Sequence, residues 1–307
     1  MGRNYRKYPD GSICHVYCKA VNGNIIFYSS RDIIFYLTLY YHLARKYGIV
    51  TRAIAIMPNH VHSNEQAPSK ESFISFHRDL NREFAKEYNL EHKRTGRLFM
   101  KPFGYAPKFK GKTIRENITY IVNNPVVGGL CKDIDSYKWT LMAYRNSDHP
   151  FSEKIVLNKA SFRLRRSLTR LKYYFDNGIP LNYSCQRMLF DGLSTKESAQ
   201  LTDRILSMHN CLEYNRIAQY YQGDMEKAIM AISANSGTEY DINEDSEDYS
   251  KYRTMTKICL QEGLDMKQIN FETMDVEQLA KLADKFLWAG VPPRLVCKFL
   301  HMEQAEK

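Results

Sequence analysis

Residues 49–66 read IVTRAIAIM (49–57), PN (58–59) and HVHSNEQ (60–66), and this stretch gives the clearest indication of the fold. The first segment is apolar and rich in strand-forming residues, Pro58-Asn59 is typical of a tight turn, and the third segment returns in an extended pattern. The stretch therefore predicts two antiparallel strands. His60 and His62 are two residues apart on the second strand, so we expect both imidazoles on the same face of a sheet.

Strand and helix patterns continue on both sides of this hairpin. The segment ICHVYCKAV (13–21) is β-rich, and a helical pattern follows it as far as Gly48. Ser29 and Asp32 are spaced as a capping box at the start of that helix. After the hairpin, a second helix has apolar residues at a period of 3.6. These residues are Phe73, Phe76, Leu80, Phe84 and Tyr88.

A third helix is predicted after a basic segment, with Thr113 and Glu116 spaced as a capping box and Pro125 ending the helix. The resulting order is β-α-β-β-α-β-α. That order predicts an α+β fold in which an antiparallel sheet carries helices on one face.

The composition changes beyond residue 150, where the patterns become mostly helical. We therefore expect a first domain over 1–150, a helical region over 151–238, an acidic linker or loop over 239–249 and a last helical region over 250–307. In the last region, a turn at Gly290 between two helical patterns is typical of a helix-turn-helix, although two helices packed in a core give the same pattern.

The net charge of +10 is distributed unevenly along the chain. Residues 1–172 contain 30 Lys and Arg against 13 Asp and Glu, a balance of +17, whereas the remainder has a balance of −7. A basic half is expected to meet polyanions such as nucleic acid. Seven scattered cysteines and the lack of a long apolar run favour a reduced, cytoplasmic protein with no membrane segment.

The His60-Val61-His62 pair suits a metal ion, because two neutral imidazoles on one face leave coordination positions open for other ligands. A pair of surface histidines is the plain alternative. On the third helix, Tyr120 and Asn124 are one turn apart on the side away from the apolar residues, so we expect both to project together. His15 could approach the same sheet face, although a packed strand histidine explains it as well. Asn117 shares the polar side of the helix and receives no assignment.

Four segments in this order resemble the REP-associated tyrosine transposases, relatives of insertion-sequence transposases with a single tyrosine and an HUH motif. The segments are MPNHVH (57–62), RLFMKPFG (97–104), TYIVNNPVVGGL (119–130) and SYKWTLMAY (136–144). The resemblance covers roughly residues 10–145. It implies a ferredoxin-like HUH nuclease core and a metal-dependent endonuclease and strand transferase acting in DNA transposition and recombination.

The resemblance also implies a role for individual residues. His60, His62 and Asn124 would bind a divalent metal, Mg²⁺ or Mn²⁺, and Tyr120 would be the catalytic nucleophile that forms a 5′-phosphotyrosine intermediate. After His62 the chain reads SNEQAP (63–68), where family members continue with an apolar strand, which leaves Glu65 near the metal as a further option.

The expected partner is single-stranded or hairpin DNA, bound by a monomer or a homodimer. Basic residues of the second helix and of the segment after it are the expected DNA contacts. They are Arg78, Arg82, Lys86, Arg94, Arg97, Lys101, Lys108, Lys110 and Lys112. Two other classes stay open: an HUH replication initiator or relaxase, and a non-catalytic DNA-binding regulator derived from a transposase.

Overall fold

The structure is a computed structural model that describes residues 10–234, 247–264 and 274–300. The contacts divide the chain into two compact units, with the division between residues 237 and 238. The first unit contains the sheet and the candidate site. The expected division at residue 150 does not coincide with this one.

A four-stranded antiparallel sheet forms the centre of the first unit. Its strands are β1 (Ile13–Lys19), β2 (Val50–Met57), β3 (His60–Gln66) and β4 (Gly104–Lys108), and they lie in the order β2-β3-β1-β4. The hairpin predicted from residues 49–66 is the β2-β3 pair, joined by Pro58 and Asn59. The α+β class and the antiparallel sheet are therefore confirmed.

Two helices cover one face of this sheet. They are α1 (Ser30–Tyr47) and α2 (Lys70–Glu91). Glu65 of β3 accepts hydrogen bonds from Tyr40 of α1 and pairs with His77 of α2, so side chains at odd positions of β3 point to these helices. Since successive strand residues alternate, His60, His62 and Asn64 point to the opposite face, which we call the histidine face.

The third helix, α3 (Gly111–Val127), covers the histidine face. Its Asn117 contacts Asn64 of β3, and the ring of its Tyr120 lies against that of His62. The expectation of helices on one face thus holds for α1 and α2, and α3 adds a layer on the other side. We expected α3 to begin at Thr113 and end at Pro125; it begins at Gly111, and Pro125 lies in its last turn.

The ends of α1 agree with the sequence signals. Ser29 and Asp32 form the predicted capping box, and Gly48 ends the helix in the left-handed region with φ +67°. A side chain would be strained there, and glycine is not. α1 is buried on almost every side, which its sheet-facing stripe alone does not explain.

Helices beyond residue 150 account for the additional burial, because they pack on α1 and α3 within the same unit. They are α4 (Phe162–Asp176), α5 (Tyr183–Phe190), α6 (Thr195–Met208), α7 (Tyr214–Ala218) and α8 (Met225–Ser233). Ile34 of α1 shares an apolar core with α4, α5 and α6, and Asn123 of α3 donates to the carbonyl of Ile232 in α8 at 2.8 Å. The mostly helical character of this region is confirmed.

The second unit contains α9 (Glu247–Gln261), α10 (Val276–Trp288) and α11 (Pro293–Phe299). Residues from all three helices form one small core around Phe286 and Phe299. The turn at Gly290 lies between α10 and α11, as predicted, and the apolar sides of both helices are used in this core. Of the expected acidic linker, residues 239–246 lie outside the described part, and 247–249 are the first turn of α9.

Within the described ranges, no helix combines the length and the apolar character needed to cross a bilayer.

Candidate functional site

The two histidines of the HVH segment lie on the histidine face beside three side chains of β1. The strand register pairs Lys19 with His60, Tyr17 with His62 and His15 with Asn64. Directly paired residues of antiparallel strands project to the same side. The ring centroids of His60 and His62 are 4.9 Å apart. The strands therefore bring two histidines, a third histidine, a tyrosine and a lysine onto one surface.

Helix α3 runs antiparallel to β3 across this surface. Asn117 contacts Asn64 at one end, and the ring of Tyr120 lies 5.4 Å from that of His62 in the middle. Asn124 is one turn further along, toward the His60 end of β3. Asn117, Tyr120 and Asn124 thus lie on the side of α3 that faces the histidines.

Tyr120 is buried, with only 3% of its surface exposed. The sequence predicted that it projects away from the core, and that expectation of an outward tyrosine is wrong. The reason is that the side of α3 that carries Tyr120 is covered by His15 and His62 of the histidine face, while Asn123 on a neighbouring side contacts α8. The ring of Tyr120 contacts those of His15 and His62, with centroids 5.6 and 5.4 Å away.

A chain of hydrogen bonds connects α3 to His62. Asn64 donates to the side-chain oxygen of Asn117 at 2.7 Å, and the amide of Asn117 contacts Nδ1 of His15. Nε2 of His15 then lies 2.9 Å from Nδ1 of His62. His60 has a comparable contact, because its Nδ1 lies 2.6 Å from Oδ1 of Asn59. Both histidines of the pair therefore have a side-chain contact at Nδ1.

Burial keeps the imidazoles of His15 and His62 neutral. It lowers the pKa of His15 to about 3, with a further lowering from the nearby charge of Lys108. Burial also holds the pKa of His62 well below its ordinary value, and His15 and His60 add to the effect. A neutral imidazole is the form that binds a metal ion.

Glu65 does not belong to the histidine face. Its carboxylate lies on the opposite face, 2.8 Å from Nε2 of His77. Burial raises the pKa of this carboxyl, but the charge of His77 and the bonds from His77, Ser63 and Tyr40 outweigh it, so the pKa is below the ordinary value. The option that Glu65 binds the metal is therefore wrong.

The donor set on the histidine face fits a divalent cation with two imidazole ligands. Within the residues that the structure describes, no group of three or more His, Cys, Asp and Glu side chains is arranged to hold a metal ion. A third protein ligand at the histidine pair would thus be a neutral group. Asn124 is half-buried and lies one turn after Tyr120 on α3, and the oxygen of its amide is of a type that binds divalent cations.

Comparison with known proteins finds similarity of limited extent. No protein-family model and no curated protein matches the sequence. Among solved structures, one described as a REP-associated tyrosine transposase bound to a REP hairpin matches with 17% identity and a TM-score of 0.40. The match covers 47% of this chain and 84% of that one.

Two residues of the surface were not singled out from the sequence. Tyr17 is half-buried beside His62, and its ring lies over Gly104 of β4, where any Cβ would overlap it. Lys19 is exposed beside His60, and its charge is one of those that lower the pKa of His62. The spacing of His15, Tyr17 and Lys19 along β1 indicates that the three side chains share one face. Only the β1-β3 register shows that this is also the face of His60 and His62.

The expected DNA contacts lie in different surroundings. Most of them are exposed: Arg78, Arg82, Lys86, Arg97, Lys101, Lys110 and Lys112. Arg94 is half-buried and donates to Asn89, and Lys108 is only 4% exposed. Lys108 is thus about as buried as Tyr120. It lies on the histidine face, opposite Ile13 in the register.

Four of the exposed residues, Arg78, Arg82, Arg97 and Lys101, border a cavity of about 740 Å³ between α2 and residues 97–105. Aromatic rings form much of its lining, including Phe73, Phe103 and Tyr105. The described lining contains no acidic side chain. This cavity lies on the α2 side of the sheet, because Phe73 of α2 packs on both Phe103 and Tyr105.

Proposed function

We propose that this protein is a metal-dependent, single-tyrosine DNA endonuclease and strand transferase of the transposase type. Tyr120 is the nucleophile, and His60, His62 and Asn124 hold a divalent cation. The substrate is single-stranded DNA or the single-stranded flank of a hairpin. The product of the first step is a 5′-phosphotyrosine with a free 3′-OH on the other fragment.

One observation carries the proposal. The ring of Tyr120 lies 5.4 Å from that of His62, although the two residues are 58 positions apart and on different elements. A buried tyrosine against the neutral imidazole of His62, which is itself held through Nδ1, is a costly arrangement for packing alone, since buried polar groups require partners. It brings a nucleophile and two metal ligands to the same place.

The chemical step can be written with the residues present. The phenol of Tyr120 gives up its proton to water as its oxygen attacks phosphorus, the bond from phosphorus to the 3′ oxygen breaks, and the departing oxygen takes up a proton from water to become the 3′-OH. The covalent link keeps the phosphodiester energy, so a 3′-OH can attack it in turn and rejoin the strand without ATP. His60 and His62 orient the site, and burial keeps His62 neutral.

A divalent cation bound there would supply positive charge for a non-bridging phosphate oxygen as negative charge develops. Imidazole is a borderline rather than a hard ligand, so this site should favour Mn²⁺ over Mg²⁺, which prefers oxygen ligands throughout. Lys19 adds a second positive charge next to His60, and its exposure suits contact with the DNA backbone.

The cavity between α2 and residues 97–105 lies on the other side of the sheet from Tyr120, and its lining suits a more distant single-stranded part of the substrate. Its basic border can contact phosphates, and its aromatic lining can stack on bases that are not paired. Duplex DNA offers no exposed base faces to such a lining.

The proposal is tested with a labelled hairpin oligonucleotide that carries a single-stranded flank. Wild-type protein should cleave it only when Mn²⁺ or Mg²⁺ is added, and His62→Ala should lower the rate by orders of magnitude while DNA binding changes little. Binding without cleavage by the wild type, over a panel of hairpins and metals, would instead identify a non-catalytic DNA-binding protein.

A further inference from the structure

Four buried side chains form a continuous line from β3 through α3 and β1 to the histidine pair. Asn64, Asn117, His15 and His62 are each 2% exposed or less. Their contacts are the 2.7 Å bond from Asn64 to Asn117, the short contact from Asn117 to Nδ1 of His15, and the 2.9 Å contact from Nε2 of His15 to Nδ1 of His62. At this depth each of these groups needs its partner.

The two neutral imidazoles allow this line to run in two directions. If Nε2 of His15 donates to Nδ1 of His62, the only proton of His62 is on Nε2, and that nitrogen has no lone pair for a metal. If Nδ1 of His62 donates to His15 instead, Nε2 of His62 has its lone pair available. Nδ1 of His15 then carries a proton and needs an acceptor, which the amide oxygen of Asn117 provides.

The second direction retains every contact of the line. Turning an amide by 180° exchanges its oxygen and nitrogen at the same positions. With both amides turned, Asn117 accepts from His15 and donates to Asn64. Turning the amide of Asn64 breaks no other hydrogen bond. Before it is turned, its buried Oδ1 has no hydrogen-bond partner within the described residues.

We propose that His15 and Asn117 are positioning residues that hold His62 in the tautomer with its proton on Nδ1, so that Nε2 can bind the cation. The inference rests on the proposed function, because it assumes a metal at His62. Asn117 acts through His15, and neither residue touches the substrate. The contact of His60 with Asn59 also places the proton on Nδ1, because Oδ1 of Asn59 can only accept a hydrogen bond.

Substitutions at Asn117 distinguish this role from packing. Asn117→Leu removes the acceptor for His15, and loss of such a partner behind a metal ligand typically lowers metal affinity about 10- to 100-fold. Asn117→Asp keeps oxygens toward both His15 and Asn64 and can only accept, so it favours the metal-binding direction. We expect Asn117→Asp to retain Mn²⁺ affinity within about three-fold of wild type, on the same scale.

Asn123→Leu is the matched control. Asn123 is an equally buried amide on the same helix, but it donates to the carbonyls of Thr119 and Ile232 and does not contact His15. Its loss should lower the free energy of unfolding as Asn117→Leu does, by about 1 to 3 kcal/mol. It should leave Mn²⁺ affinity unchanged.

Two measurements on the full chain test the proposal. In metal-free protein labelled with ¹⁵N-histidine, NMR should find the proton of His62 on Nδ1, with the signal assigned by its loss in His62→Gln. Calorimetry with Mn²⁺ should give weakened binding for Asn117→Leu alone among the three variants. A proton on Nε2 of His62, or equal Mn²⁺ affinities for Asn117→Leu and Asn123→Leu, would overturn the positioning role of His15 and Asn117.

The same measurements separate this inference from the proposed function. If the wild type binds no Mn²⁺, the proposed function fails, and the NMR measurement still tests whether His15 and Asn117 hold the proton of His62 on Nδ1. If Mn²⁺ binds and His60→Ala abolishes it, while Asn117→Leu binds as wild type, the proposed function stands and the positioning role of His15 and Asn117 is overturned.

Discussion

A chain that ends at residue 150 should lose its stable fold, although the sequence places a domain boundary there. The helices removed by this truncation pack directly on the core elements. Ile34 of α1 would lose its apolar neighbours in α4, α5 and α6, a burial that contributes about 2 kcal/mol. At least four hydrogen bonds would also be lost, at about 1 kcal/mol each. They join Tyr183 to Asp32, Leu181 to Thr38, Glu213 to Thr51 and Asn123 to Ile232.

Together these losses come to about 6 kcal/mol, which is comparable to the whole stability of a typical domain, about 5 to 15 kcal/mol. The assay is urea unfolding followed by circular dichroism, with a fragment of residues 1–237 as the control. The longer fragment should unfold cooperatively, and the shorter one should aggregate or unfold without a cooperative transition. A cooperative transition at the same urea concentration in both fragments would show that the helices beyond residue 150 do not stabilise the sheet and its helices.

Two other predictions concern single side chains. Lys19→Gln should slow cleavage about ten-fold by removing a charge beside the scissile phosphate, whereas Lys196→Gln, an exposed lysine on α6, should not; equal rates would remove Lys19 from the site. Burial lowers the pKa of His209 to about 4 in the folded protein, so the stability it contributes is complete above about pH 6.5 and is lost as the pH falls toward 4. By pH 5 the loss is about 2 kcal/mol, and His209→Phe should remove that part of the slope in urea unfolding between pH 7 and pH 5; parallel slopes for the two proteins would contradict this.

Local patterns predicted the elements of the fold well. The hairpin of residues 49–66, the capping box of Ser29 and Asp32, and the glycine at the end of α1 all depend on neighbouring residues, and the structure has each of them. Alternation along β3 also placed His60 and His62 on one face. These features can be read from sequence because short-range backbone geometry determines them.

The environment of the site could not be predicted in the same way. A helical wheel placed Tyr120 away from the apolar stripe correctly, but it could not reveal that the histidine face covers that side. The contacts of His15 with Asn117 and His62 join residues 102 and 47 positions apart, and they depend on the register of β1 with β3. Glu65 is three residues after His62 on β3, so alternation along the strand already predicts that it faces the other side of the sheet.

The central claim is that Tyr120 becomes covalently attached to DNA, and a direct measurement is available. Wild-type protein is incubated with the hairpin oligonucleotide and Mn²⁺, digested with protease, and searched by mass spectrometry for a peptide that carries a 5′-phosphonucleotide. The site offers its own control, since Tyr17 lies beside His62 on the same face. We expect the adduct on Tyr120, its loss in Tyr120→Phe and its persistence in Tyr17→Phe. An adduct on Tyr17 or any other residue, or an adduct that persists in Tyr120→Phe, would contradict the claim.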